Sequence, residues 1–157
     1  MAKAAPEQVK AGMEFPQSTA KLLPLSLIYP RPEQTMIAHT SLTVSDYPKS
    51  KAFYCKALAP LGYSNNMEYG EAAGFNDGKN TDFWISKEKT TVPLHVAFEA
   101  RSSEQVKAFH EAALAAGGKN NGDPGYRDYW PGYYAAFVLD PDGNNIEAVW
   151  YDYSKAS

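Results

Sequence analysis

The stretch HTSLTVSDYPKSKAFYCKALAPLG, His39 to Gly62, returns 56 positions later as HVAFEARSSEQVKAFHEAALAAGG, His95 to Gly118, with 8 of 24 pairs identical. The identities are His39/His95, Lys51/Lys107, Ala52/Ala108, Phe53/Phe109, Ala57/Ala113, Leu58/Leu114, Ala59/Ala115 and Gly62/Gly118. Chance would supply about one or two, so the chain carries an internal duplication. A second offset, of 63, pairs Ala72-Ala73 with Ala135-Ala136 and Asp77 with Asp140, which carries the copies to their ends.

Both copies follow one pattern. Residues 37–44 and 94–100 alternate apolar and polar, as half-buried strands do. A helix follows each: Ser45 or Asp46 caps the first, with Pro48 in its opening turn and Phe53, Ala57 and Leu61 as its apolar stripe. Ser102 or Ser103 caps the second, Val106, Phe109, Ala113 and Leu114 form its stripe, and Gly117-Gly118 ends it. Three shorter strands complete each copy, with Asn76-Asp77-Gly78 and Asp140-Pro141-Asp142-Gly143 as turns between the last two. The predicted unit is β-α-β-β-β, twice: modules at 36–88 and 93–152, an N-terminal arm at 1–35 whose five prolines forbid a long helix, and a tail at 153–157. Chain termini are usually disordered unless tied down, so the arm is expected to be an extension rather than a lid or dimer arm.

Composition narrows the function. A chain of 157 residues makes one domain, and 44% apolar with 21% charged residues is globular. Its single cysteine, Cys55, excludes an intrachain disulfide and every thiolate-rich metal site, so any metal must be held by His and carboxylate. A net charge of −3 with no basic cluster argues against nucleic acid, and no apolar run is long enough for a membrane. The N-terminus lacks the pattern of a secretory signal, so a cytoplasmic location is expected.

Strand parity locates the chemistry. Leu42 and Val44, then Val96 and Phe98, then Ile146 and Ala148 must face the helices, which turns His39, His95 and Glu147 to the opposite face. Singly, each is an ordinary sheet histidine or a surface glutamate. Together, two imidazoles and a carboxylate form a facial triad for a divalent ion with positions left open for substrate. The segment Gly122-Asp123-Pro124-Gly125-Tyr126-Arg127-Asp128-Tyr129-Trp130-Pro131-Gly132-Tyr133-Tyr134 offers aromatic walls and one guanidinium, which suit a planar or carboxylated ligand or, equally, cross-strand packing. His110 is expected in solvent, and Cys55 as a small helix residue.

The strings Ile37-Ala38-His39-Thr40, Lys51-Ala52-Phe53-Tyr54, Leu94-His95-Val96-Ala97-Phe98 and Asp140-Pro141-Asp142-Gly143-Asn144 with Ile146-Glu147 resemble the vicinal oxygen chelate superfamily, the glyoxalase, bleomycin-resistance and ring-cleaving dioxygenase group. The resemblance implies an α+β fold of two βαβββ modules forming a curved, eight-stranded mixed-sheet cup. It also implies one divalent ion (Fe, Mn, Zn, Ni or Co) on His39, His95 and Glu147. Glyoxalase I takes a fourth ligand from the strand position that the repeat gives to Trp84, and indole cannot ligate a metal, so glyoxalase I turnover is not expected. The expected activity is that of a metal-dependent enzyme, lyase, isomerase or dioxygenase, on a small oxygenated molecule. Glu147 and Tyr133 are its catalytic candidates, Trp84, Arg127 and Tyr134 its substrate-binding ones, and its expected assembly is a homodimer. The alternative is a binding protein that sequesters a small aromatic molecule without catalysis.

Overall fold

The computed structural model describes residues 37–89 and 92–155. The N-terminal arm expected at residues 1–35 lies outside them.

The first module runs β1 (Thr40–Val44), α1 (Tyr47–Ala57), a 3-10 turn (Ala59–Leu61), β2 (Ser64–Tyr69), β3 (Ala72–Asn76) and β4 (Thr81–Lys87). The second runs β5 (His95–Glu99), α2 (Ser103–Ala115), β6 (Lys119–Tyr126), β7 (Tyr133–Leu139) and β8 (Asn145–Tyr151), and a 3-10 turn (Tyr153–Lys155) follows. Asp46 caps α1, accepting from the Lys49 amide at 3.2 Å, and Ser102 caps α2, accepting from the Gln105 amide at 3.3 Å. Each cap satisfies an amide that the helix leaves unpaired, a contribution of about 1 kcal/mol.

The eight strands fall into two four-stranded mixed sheets of identical topology, β1-β4-β3-β2 and β5-β8-β7-β6. In each, the first strand lies parallel to the last, as a helical crossover requires, and the other pairs are antiparallel. Pro124 is tolerated in β6 because β6 is an edge strand.

Alternation sends Leu42, Val44, Phe75, Phe83 and Ile85 of the first sheet, and Phe98, Val138, Ile146 and Ala148 of the second, into one core with Phe53, Tyr54, Val106 and Phe109 from the helices. The modules meet through this core: Phe98 packs edge-to-face on Phe83 at 5.1 Å and on Tyr63 at 5.3 Å. Gly118 sits at a close approach between the modules, since a Cβ there would stand 2.9 Å from Phe53 Cε2 and 2.5 Å from Val138 Cγ1.

The Asp140–Asn144 turn clasps the modules together. Asp142 accepts from the Ser45 amide at 3.0 Å, from the Ser45 hydroxyl, and from the Ser50 hydroxyl at 3.2 Å, while the buried Asp140 accepts from the Tyr54 hydroxyl at 2.6 Å. Asp140 also holds its own turn, taking the Asp142 and Asn144 amides at 2.9 and 2.8 Å. His110, expected in solvent, is instead 7% exposed and bonded through Nε2 to Asn120 Oδ1 at 3.0 Å. The helix turns it toward the sheet beside Phe109, and the Asn120 partner makes that burial tolerable. Among the described residues no helix is long and apolar enough to cross a membrane.

Candidate functional site

The face of the second sheet turned away from the helices gathers the polar chemistry. β5 and β8 run parallel with His95 opposite Asn145 and Ala97 opposite Glu147, so His95, Asn145 and Glu147 share this face. β7 runs antiparallel to β8 and sets Phe137 against Glu147 and Tyr133 against Tyr151.

Glu147 is 2% exposed, and both its oxygens are occupied. Oε1 accepts from the Tyr133 hydroxyl at 2.5 Å, and Oε2 lies 3.0 Å from His95 Nε2. The far nitrogen of the ring, His95 Nδ1, accepts from Asn145 Nδ2 at 2.7 Å, and Asn145 Oδ1 accepts from Asn121 Nδ2 at 3.0 Å. A continuous chain therefore links Asn121, Asn145, His95, Glu147 and Tyr133. Partial burial, reinforced by the hydrogen bond to Glu147 and its charge, pushes the Tyr133 phenol above its ordinary range, so it remains a neutral donor.

Aromatic rings wall this chain. Phe137 stacks near the His95 ring at 6.3 Å, and Tyr129 and Tyr151 stand edge-on to Tyr133, each at 5.4 Å. Gly132 makes the placement of Tyr133 possible: its φ is +83°, and a Cβ there would stand 2.1 Å from the Asp152 carbonyl oxygen. Arg127 lies 5.5 Å over the Phe137 ring and donates to the Asp123 and Tyr126 carbonyls. A cavity of about 580 Å³ opens beside it, lined by Tyr126, Arg127, Tyr129, Trp130 and Lys155 among others.

His39 belongs to a second cleft, on the corresponding face of the first sheet. This cleft, about 420 Å³, is lined by His39, Ser41, Ala72, Thr81, Trp84 and Ser86. Trp84 lies across Gly74, where a Cβ would stand 2.9 Å from the indole, and stacks on Tyr69 at 6.2 Å. The repeat relates Trp84 to Glu147, so the two sheets present an aromatic face and an acidic one at equivalent positions.

Of the residues expected in the site, His95, Glu147 and Tyr133 come together directly, and Arg127 adjoins them through Phe137. Among the described residues no three His, Cys, Asp or Glu side chains stand close enough to hold an ion, so His39 does not join the other two within the chain. Tyr134 is a correction. It is 9% exposed and packs in the core between Tyr126 and Trp150, because the residue after Tyr133 in a strand must face the helices. Asn145, Phe137 and Tyr151 were not singled out from the sequence, although the same alternation that turns Glu147 away from the helices carries Asn145 and Tyr151 with it.

The profile of the Glyoxalase/Bleomycin resistance protein/Dioxygenase superfamily matches residues 36–148, and the chain belongs to that superfamily. Among solved structures, a glyoxalase/bleomycin resistance protein from Albidiferax ferrireducens T118 is 32% identical with a TM-score of 0.65, over 74% of this chain and 98% of its own. A glyoxalase/bleomycin resistance protein/dioxygenase family enzyme from Burkholderia phytofirmans PsJN is 19% identical, TM-score 0.59, over 73% and 98%. The oxidase ChaP-H2 is 20% identical, TM-score 0.59, over 78% and 98%, and these last two likenesses are of fold. None of the curated proteins matches the chain.

Proposed function

We propose that the protein is a divalent-metal-dependent enzyme acting on a small oxygenated molecule by lyase, isomerase or dioxygenase chemistry, with two substrate oxygens chelating the ion. The observation that carries this reading is the 3.0 Å between His95 Nε2 and Glu147 Oε2. An imidazole nitrogen and a carboxylate oxygen turned toward each other on one face are the pair that would hold a divalent ion once the ring nitrogen is free of its proton. The imidazole–carboxylate donor set suits Fe, Mn, Zn, Ni or Co. The third ligand, His39, comes from a second copy of the chain, whose first-module face lies over this second-module face, giving two equivalent sites in a homodimer.

When bound, the ion would supply Lewis-acid polarisation of the substrate oxygens. The chain's own residues do the rest. Glu147 would help hold the ion, and Tyr133, which donates to Glu147 Oε1, holds a phenol proton beside the substrate and acts as general acid. Trp84, brought in by the second copy with His39, provides a flat apolar wall, and Arg127 favours a carboxylated substrate.

Elemental analysis of protein purified without chelator tests the reading. Wild type should carry metal and His95→Ala should not, and equal content in both would end it. Mixing His39→Ala with Glu147→Gln subunits tests the shared site. Each mixed dimer should recover one of its two ion sites, whereas a site built within one chain would recover none.

A second reading, sequestration of an aromatic molecule without catalysis, draws on the Tyr69–Trp84 stack over Gly74. It predicts ligand binding that survives full chelation and falls with Trp84→Ala.

A further inference from the structure

We propose that Asn145, backed by Asn121, is a positioning residue that decides which nitrogen of His95 carries the ring proton. The inference deepens the metal reading above and rests on it.

The bonds leave one assignment. Asn145 Nδ2 is only a donor, so His95 Nδ1, 2.7 Å away, accepts and carries no proton. A neutral ring then holds its proton on Nε2, directed at Glu147 Oε2 3.0 Å away. The orientation of Asn145 is set in turn by Asn121, whose Nδ2 donates to Asn145 Oδ1 at 3.0 Å. In this arrangement Nε2 is occupied by its proton and cannot ligate an ion. Ligation requires the other tautomer, with the proton on Nδ1 and an acceptor facing it.

The amide pair can supply that acceptor while Asn121, Asn145 and His95 stay bonded to one another. Half a turn of the Asn145 amide brings Oδ1 to His95 Nδ1, where it accepts the ring proton, and points Nδ2 at Asn121. Half a turn of the Asn121 amide then presents its own Oδ1 to Asn145 Nδ2. The contacts among Asn121, Asn145 and His95 are kept, the hydrogen bond from Nε2 to Glu147 is given up, and no net charge moves. Carboxamides at both positions therefore make a two-position relay, one position satisfying the metal-free Glu147 and the other freeing Nε2. A carboxylate at 145 would allow only the second position, and an aliphatic side chain neither.

The relay is read from the ring-nitrogen NMR signals of His95, assigned by their loss in His95→Gln, which distinguish the Nδ1-H and Nε2-H tautomers. Metal-free wild type should show the proton on Nε2, and added zinc should move it to Nδ1. Asn145→Asp, an isosteric change, should show it on Nδ1 before any zinc is added. Asn145→Leu should show a mixture and bind zinc about 10- to 100-fold more weakly than wild type. The same tautomer in wild type, Asn145→Asp and Asn145→Leu would overturn the proposal, as would a metal-free wild type already protonated on Nδ1. If the variants shift the tautomer as stated while zinc leaves wild-type His95 unmoved, the relay stands and the metal reading falls.

Discussion

Glu147 is the residue on which the site depends, because it is buried with a donor on each oxygen. Tyr133→Phe removes the donor to Oε1 and leaves a buried lone pair unpaired, so unfolding free energy should fall by about 1 kcal/mol in urea titrations. Turnover should fall further than stability, since the phenol proton is lost as well. On the proposed metal-dependent reading, Glu147→Gln should lower kcat by at least about a hundredfold, because the ligand it removes would act on charge that develops in the transition state. Trp84→Ala should mainly raise KM, by about tenfold, as stacking acts on ground-state binding. Steady-state kinetics on the two variants separates the roles, and the opposite ranking would point to a binding protein.

At the scale of the element, the turn entering β7 carries the site. Gly132 sits at φ +83° with the Asp152 carbonyl oxygen where a side chain would go, and the Asp152 amide donates back to the Gly132 carbonyl at 2.8 Å. Gly132→Ala should therefore cost several kcal/mol, well beyond the ~1 kcal/mol of a positive φ alone, and displace Tyr133. Gly143, at φ +89° in the clasp turn with open space around it, is the internal control. Its change to Ala should cost only the conformational term of about 1 kcal/mol. Equal Tm losses for the two would contradict this account.

For the whole molecule, the clasp between modules sets cooperativity and alkaline behaviour. Asp142→Ala cuts the bonds to Ser45 and Ser50, and unfolding should remain a single transition lowered by about 1–3 kcal/mol. Burial, with Asp140 beside it, pushes the Tyr54 phenol well above its ordinary range. A pKa raised in the folded state contributes stability that is complete below the unfolded value of about 10 and is lost as pH climbs beyond it toward the folded value. Stability measured against pH should turn down above about pH 10, and in Tyr54→Phe that downturn should be shallower. An unchanged slope would show that the buried tyrosine does not drive it.

What the sequence determined by itself was everything periodic. Duplication at offsets of 56 and 63 implied two equal modules, and alternation along single strands put His95 and Glu147 on one face and Leu42 and Ile146 on the other. These are local rules, carried by neighbours a few positions apart. Tyr134 was misplaced where alternation was not followed one residue past Tyr133, and His110 where a ring was judged without its partner Asn120. Only the tertiary structure decided which members of the shared face touch. It joined Glu147 to Tyr133 and His95 to Asn145 across hydrogen-bonded strands, and left His39 in a cleft of its own with Trp84. Module packing is long-range, held by contacts such as the Gly118 approach and the Asp140–Asn144 clasp, and no periodicity along the chain encodes a distance between two sheets.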